Sequence, residues 1–139
     1  LEFLKDYTGT HLEEKDVRAM SPLTLAYVGD TIYDLIVRSY LVITRPTTVH
    51  LLHIEAIDFV NAGAQSEMLS RIMERLTEDE ISIVRRGRNA KSGTVPKNAD
   101  VGDYRRATGL EALFGYLYLS GKEERLIEIA SWILDSRNK

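Results

Sequence analysis

The chain has 139 residues, of which 44% are hydrophobic and 28% are charged, with no cysteine and a formal net charge of -3. This length fits one domain with one core, and the apolar fraction excludes a disordered chain. The sequence has no apolar run near the ~20 residues of a membrane span and no leader typical of a secretory signal. Because a chain without cysteine suits a reducing compartment, we expect a cytoplasmic protein with no membrane contact.

Helical periodicity dominates the chain after a polar N-terminal segment. Residues 1–20 are polar and acidic, and we interpret them as a mobile lead-in that is at most partly helical. Ser21-Pro22 predicts a helix start, because serine caps free backbone amides and proline suits the first helical position. This helix is expected to run to about Leu41 and to stop before Arg45-Pro46.

The middle of the chain is predicted to hold two further helices and a loop. One helix starts at Thr47-Thr48, and its apolar stripe continues to Leu76, with Gly63 either kinking it or packing closely against a neighbour. Thr77 and Glu80 have capping-box spacing and begin the next helix. Residues 90–100 contain turn formers and almost no apolar side chains, which predicts a loop.

Two more helices are predicted in the C-terminal third. Asp103 is the expected N-cap of a helix that ends near Ser120-Gly121, and a last helix spans roughly Glu123 to Asp135. No run of strict alternation is long enough to indicate a strand. Roughly five helices with short connections predict an all-α helical bundle, and we assign the folded domain to residues 21–139.

The charge is unevenly distributed along the chain. Residues 85–106 hold seven basic and two acidic residues, a net +5, which leaves -8 for the remainder. Such a segment is either an ordinary solvated surface or a contact for nucleic-acid phosphates. We call it the basic segment; its basic members are Arg85, Arg86, Arg88, Lys91, Lys97, Arg105 and Arg106.

Two carboxylates interrupt apolar helical stretches. Asp30 follows Gly29 in the most apolar part of its helix, and Glu111 lies between Gly109 and Gly115. Small residues let helices approach closely, so the two helices can cross with both carboxylates converging. Carboxylate oxygens without cysteine favour a hard cation, most simply Mg²⁺ shared with a substrate phosphate.

A structural alternative stays open for these carboxylates. Each could be neutralised by an arginine, with Arg38 or the pair Arg105 and Arg106 available. The basic segment favours the other interpretation, because a hard-metal site beside a cationic stretch suits cleavage of a phosphodiester backbone.

Three stretches resemble a known family. The stretch Tyr27-Val-Gly-Asp30-Thr-Ile-Tyr-Asp-Leu resembles the signature of the ribonuclease III endonuclease domain, and Glu111-Ala-Leu-Phe-Gly-Tyr-Leu-Tyr-Leu resembles its second motif. Residues 85–100 are similar to the most distinctive stretch of the short bacterial branch, Mini-ribonuclease III, which has no double-stranded-RNA-binding domain. The resemblance covers about residues 21 to 135 in order along the chain.

The resemblance implies an all-α ribonuclease III-like domain that forms a homodimer and cleaves double-stranded RNA. It implies Mg²⁺ as cofactor, with Mn²⁺ as a substitute, 5′-phosphate and 3′-hydroxyl products, and the 23S ribosomal RNA precursor as substrate. On this resemblance Asp30 and Glu111 match the metal-binding, catalytic positions, and the basic residues of the basic segment are expected to contact RNA.

The chain also departs from the pattern of full-length ribonuclease III. Ala26 and Thr108 stand where that pattern has acidic residues, which implies weak metal affinity without substrate. This departure keeps a second hypothesis open, a non-catalytic helical module that binds structured RNA or a ribosome-assembly partner. A helical protein-interaction domain is a third, and it leaves the basic segment and the two carboxylates unexplained.

Overall fold

The structure, a computed structural model, describes residues 2–90, 95–98 and 100–137, and its regular elements there are all helical. The all-α prediction is confirmed. The elements are α1 Glu2–Thr8, α2 Glu14–Arg18, α3 Pro22–Thr44, α4 Val49–Val60, α5 Ala62–Ile72, a 3-10 turn Met73–Arg75, α6 Glu78–Asn89, α7 Val101–Leu119 and α8 Glu123–Arg137. The predicted loop at 90–100 is free of helix where it is described, and residues 91–94 and 99 lie outside the described residues.

The long helix α3 begins where the sequence predicts and ends three residues beyond the predicted Leu41. The hydroxyl of Ser21 accepts a hydrogen bond from the backbone N–H of Leu23 at 3.3 Å, and Pro22 occupies the first helical turn. The helix runs past the predicted Leu41 to Thr44 and stops before Pro46, which disfavours helical backbone at the preceding residue. Its buried side packs against α7 and α4.

The predicted continuous helix from Thr48 to Leu76 is wrong in one respect. It breaks at Asn61, whose side-chain oxygen accepts a hydrogen bond from the backbone N–H of Ala64 at 2.8 Å and so caps a new helix, α5. Gly63 therefore lies in the first turn of α5 and produces no kink. The side-chain oxygen of asparagine readily accepts hydrogen bonds from backbone amides. Asparagine can therefore cap a new helix even within an apolar stripe.

The predicted cap at Asp103 is also wrong. The N-cap of α7 is Asp100, whose carboxylate accepts a hydrogen bond from the backbone N–H of Asp103 at 2.9 Å. Asp103 instead occupies the first turn, where its charge is favourable beside the helix N-terminus. The capping box of α6 is confirmed: the Thr77 hydroxyl accepts from the backbone of Glu80, and the Glu80 carboxylate accepts from the backbone of Thr77.

Helix α7 is the centre of the bundle and packs against α3, α5, α6 and α8. Every residue from Ala107 to Leu117 is buried except Glu111, which is partly buried. A helix that is apolar on all sides belongs in a domain interior. Glu111 is thus the one acidic residue in the buried stretch of the central helix.

Glycines allow α3 and α6 to approach α7 closely. A Cβ on Gly29 would overlap the carbonyl oxygen of Glu111, and a Cβ on Gly109 would lie 2.7 Å from the carbonyl oxygen of Val84. Any larger residue at these positions would force the helices apart. The close approach expected at Gly29 and Gly109 is therefore present.

Part of the N-terminal segment packs on the bundle. Val17 of α2 is fully buried in the core. The carboxylate of Glu14 accepts hydrogen bonds from the Tyr116 hydroxyl at 2.6 Å and from the Lys122 ammonium at 3.0 Å. These contacts join α2 to the end of α7.

Candidate active site

The structure brings the carboxyl groups of Asp30 and Glu111 into contact. Asp30 lies on α3 and Glu111 on α7, at the crossing where Gly29 removes the Cβ that would separate the two backbones. The two carboxyl groups share a hydrogen bond. Asp30 is exposed to solvent, whereas Glu111 is partly buried, so the pair opens outward on the α3 side.

The environment of Glu111 favours its neutral form. Burial, then the hydrogen bond and negative charge of Asp30, raise the pKa of Glu111 to about 8, while a hydrogen bond from Gln65 acts in the opposite direction. Two carboxylates in contact repel one another unless a proton or a cation lies between them. The pair therefore has an excess of negative charge that a bound cation would remove.

The structure does not place an arginine against this pair. Arg38 lies 3.0 Å from Asp34, and Arg106 lies 3.7 Å from Asp103. Within residues 2–90, 95–98 and 100–137, neither Asp30 nor Glu111 has a lysine or arginine nitrogen within 4.0 Å. Neutralisation by an arginine is therefore not the arrangement found in the described part of the chain.

The donor set fits a hard divalent cation, but it is small. Across the described ranges, no group of three or more His, Asp or Glu side chains is arranged to hold a metal. Ala26 is buried and offers no ligand, and the Thr108 hydroxyl donates to the carbonyl oxygen of Tyr104 at 3.0 Å. Two carboxylates bind a cation more weakly than a complete set of protein ligands does, so substrate and water would have to supply the remaining oxygen ligands.

Sequence reasoning missed Gln65. This residue is 3% exposed on α5, and its side-chain amide hydrogen-bonds the Glu111 carboxylate. A signal was present in the sequence: Gln65 is a polar amide within an apolar stripe that includes Ala64, Met68 and Leu69. A buried amide is costly unless a partner satisfies it, so this position points to a specific contact.

The basic segment divides into free and engaged side chains. Arg85, Arg88, Lys97, Arg105 and Arg106 are exposed. Arg106 also donates to the Ser66 hydroxyl at 3.3 Å, and Arg88 donates to the Asn89 side chain at 3.4 Å. Lys91 lies outside the described residues.

Arg86 differs from its neighbour Arg85. Its guanidinium donates to the carbonyl oxygens of Arg18 at 2.6 Å and Met20 at 2.8 Å. These bonds hold the chain between α2 and α3 against α6. The sequence alone predicts RNA contact equally for the two arginines, because nothing local distinguishes them.

Comparisons with known proteins agree with the helical architecture and the motifs. A family model described as the Ribonuclease III domain matches residues 23–122. The chain is 43% identical over 132 residues to the Mini-ribonuclease 3 of Clostridium tetani, covering 94% of this chain and 87% of that protein. It is 49% identical over 118 residues to the Mini-ribonuclease 3 of Thermoanaerobacter sp., covering 85% of this chain and 83% of that protein.

A solved structure has the same fold. The X-ray crystal structure of a protein from Fusobacterium nucleatum matches with a TM-score of 0.78 and 34% sequence identity, covering 88% of this chain and 98% of that one. Separately, none of the helices in the described part of the chain is both long and apolar enough to cross a bilayer.

Proposed function

The chain belongs to the ribonuclease III domain family and is an endoribonuclease, and from this premise we propose that it cleaves double-stranded RNA at a site formed by Asp30 and Glu111. One observation carries the proposal: two carboxyl groups from different helices touch at a glycine-mediated crossing, with no cationic partner within the described residues. Such a pair costs stability in the free protein, which is typical of residues kept for function.

Asp30 and Glu111 are the residues that would hold Mg²⁺, or Mn²⁺ in its place. When bound, the cation stabilises charge on the scissile phosphate and supports in-line attack by water, leaving 5′-phosphate and 3′-hydroxyl ends. Glu111 is partly buried within the central helix α7, while Asp30 faces the solvent from which RNA approaches. The high pKa of Glu111 in the free protein means that cation binding displaces a proton from the pair.

The basic segment supports contact with an RNA duplex. Its exposed arginines and lysine provide charges for phosphates on a chain whose other residues are acidic overall. Duplex RNA is recognised largely by its shape through phosphate and 2′-hydroxyl contacts, so a few cations on one surface suffice without base contacts. We assign this role to Arg85, Arg88, Lys97, Arg105 and Arg106, and to Lys91 with them, whereas the guanidinium of Arg86 already donates to the carbonyl oxygens of Arg18 and Met20.

A homodimer is proposed from the surface of α3 and α4. These two packed helices expose nine large apolar side chains: Leu23, Tyr27, Leu35, Val42, Ile43, Val49, Leu51, Ile54 and Ile57. Exposed apolar residues at this density mark a protein interface, and a second copy would extend the RNA contact area. Leu35→Lys should yield monomers by light scattering, whereas Ile127→Lys, at an exposed isoleucine of α8, should leave the dimer intact.

The precursor of 23S ribosomal RNA is the substrate that we propose, and the cytoplasm is the compartment. The resemblance of residues 85–100 to the short branch of the family supports this substrate. The absence of cysteine suits the cytoplasm, which is a reducing compartment. Cleavage of an in-vitro transcript of the precursor termini, compared with an unrelated duplex of equal length, tests the substrate.

Asp30→Asn tests the site itself. This variant should fold and dimerise normally but fail to cut a long duplex RNA in Mg²⁺, and the wild type should fail in EDTA. Asp34→Asn is the matched control, because Asp34 lies one turn further along α3 and pairs with Arg38 instead. Wild-type cleavage rates from a correctly folded Asp30→Asn protein would show that the metal assignment is wrong.

A further inference from the structure

We propose that Gln65 is a positioning residue of this site: its buried amide holds the carboxylate of Glu111 in the orientation that pairs with Asp30 to bind the cation. The inference rests on the proposed function of the Asp30–Glu111 pair and adds a third residue, from a third helix, that carries no charge. The contact between Gln65 and Glu111 is present without a cation, so Gln65 would orient Glu111 before the cation binds.

The side chain of Gln65 is polar and yet buried. Gln65 is 3% exposed and lies on the face of α5 that packs against α7, beside the buried side chains of Ala64, Met68 and Leu69. An amide in such a place costs about 1–3 kcal/mol if it makes no hydrogen bond. Leucine or methionine would pack better at a core position that makes no hydrogen bond. The amide at this position therefore indicates a hydrogen-bond partner.

The partner of the Gln65 amide is the Glu111 carboxyl group, to which it donates a hydrogen bond. This bond joins α5 to the carboxyl group on α7 that contacts Asp30. A hydrogen bond from a buried amide restricts the rotamers of the side chain that accepts it.

Few other polar side chains support the two carboxyl groups within the described residues. The positions one turn before each carboxylate are Ala26, which is apolar, and Thr108, whose hydroxyl is engaged by the Tyr104 carbonyl. Among the residues that the structure describes, Asp30 and Gln65 are the side chains that hydrogen-bond the Glu111 carboxyl group. Without Gln65, the orientation of Glu111 would depend on Asp30 alone.

Outer hydrogen bonds to metal ligands have a measurable role. They fix the rotamer of the ligand, and their loss typically lowers metal affinity or activity ~10–100-fold. In a site with two carboxylates, each ligand contributes a larger fraction of the binding free energy. The loss of affinity should therefore lie near the upper end of this range.

Gln65→Met tests the inference, since methionine keeps the length of the side chain and removes its donor. We expect this variant to need ~10–100-fold more Mg²⁺ than the wild type for half-maximal cleavage. In the absence of RNA, the increase in melting temperature on adding Mn²⁺ should shrink, while the melting temperature in EDTA should stay near that of the wild type. Gln65→Asn, which keeps the amide but withdraws it, should show the same defect if the methionine variant folds poorly.

Leu69→Val is the matched control, because Leu69 is also 3% exposed, one turn further along α5. It should lower the melting temperature in EDTA and leave the Mg²⁺ requirement unchanged. If Gln65→Met behaves like this control, its amide is structural and the inference is wrong. If the wild type itself neither cuts duplex RNA nor gains stability from Mn²⁺, the proposed function fails, a result distinct from a failure of Gln65 alone.

Discussion

Gly29 on α3 and Gly115 on α7 face each other at the crossing that carries the two carboxylates. A Cβ on Gly29 would lie 2.7 Å from the backbone nitrogen of Gly115, and a Cβ on Gly115 would lie 3.2 Å from that of Gly29. The atoms in the way are backbone atoms, which cannot rotate aside as a side chain can. The distance between Asp30 and Glu111 therefore depends on these two glycines.

Gly29→Ala should destabilise the fold by about 3 kcal/mol or more, since the added methyl group overlaps the backbone of α7 and overpacked cores relax poorly. Urea unfolding followed by circular dichroism measures the change. Gly63→Ala is the matched control, because a Cβ there would meet only side-chain oxygens at 3.3 and 3.7 Å. A change at Gly29 no larger than at Gly63 would mean that α3 and α7 can separate at low cost.

Glu111→Gln should stabilise the metal-free protein at neutral and alkaline pH. The pKa of Glu111 is raised from 4.5 to about 8, so the folded state holds its proton more tightly than the unfolded state. Stability of the wild type should accordingly fall as pH rises from about 4.5 to about 8 and level off above this range. The variant lacks this loss and should be more stable at pH 8 by up to about 3 kcal/mol.

The measurement for Glu111→Gln is unfolding in EDTA across the pH range, repeated in excess Mn²⁺. The cation should stabilise the wild type and have little effect on the variant, because binding to the folded state alone raises stability. Equal pH profiles for the two proteins in EDTA would contradict the charge repulsion inferred at this site.

Buried Glu80 and partly exposed Arg125 form an ion pair that joins α6 to α8. The Arg125 guanidinium donates to both carboxylate oxygens of Glu80, each at 2.8 Å, and the Glu80 side chain is 5% exposed. Glu80→Gln removes the charge that Arg125 pairs with across the two helices, although Arg125 keeps its contact with Glu128, so the change should cost about 2 kcal/mol. Glu67→Gln, which breaks the exposed pair with Arg71, should cost no more than about 1 kcal/mol.

The Glu80 pair also predicts acid sensitivity. Burial opposes ionisation of Glu80, but hydrogen bonds from Arg125 and Thr77 outweigh it and lower its pKa below 4.5. Its contribution to stability is therefore complete above the unfolded-state pKa and is lost as pH falls through the folded-state pKa. Urea unfolding at pH 7 and near pH 3 should show a smaller difference between wild type and Glu80→Gln at the acidic pH.

Arg85 and Arg86 should respond differently to alanine substitution. Arg85→Ala should weaken binding to duplex RNA and reduce the slope of log affinity against log salt by about 1, with unchanged melting temperature. Arg86→Ala should lower the melting temperature, because its guanidinium holds the backbone carbonyls of Arg18 and Met20. Binding titrations at several salt concentrations and thermal melts of both variants separate these effects.

A melting temperature lowered equally by both substitutions would contradict this division. An unchanged salt slope for Arg85→Ala would remove that residue from the proposed RNA surface. The comparison is well matched, since the two arginines are adjacent on α6 and differ in their contacts.

Local chemistry accounts for the predictions that held. Ser21-Pro22 starts α3, Thr77 with Glu80 starts α6, and α3 stops before Pro46, because each signal acts through bonds or clashes within about four residues. The two boundary errors have a local origin as well. Asn61 caps α5 although it lies within an apolar stripe that by itself predicts a continuous helix. Near the start of α7, Asp100 and Asp103 are both suitable N-caps, and the structure has Asp100 in that position.

Periodicity, charge and residue spacing were enough to predict an all-helical domain, a basic segment on an acidic chain, and two carboxylates beside small residues. The contacts of Glu111 with Asp30 and with Gln65, and of Arg86 with the backbone, become visible in the folded chain alone. Those relationships join residues from different helices, so they depend on how α3, α5, α6 and α7 cross. Helix crossings are set by packing over the whole core, and no short stretch of sequence contains that information.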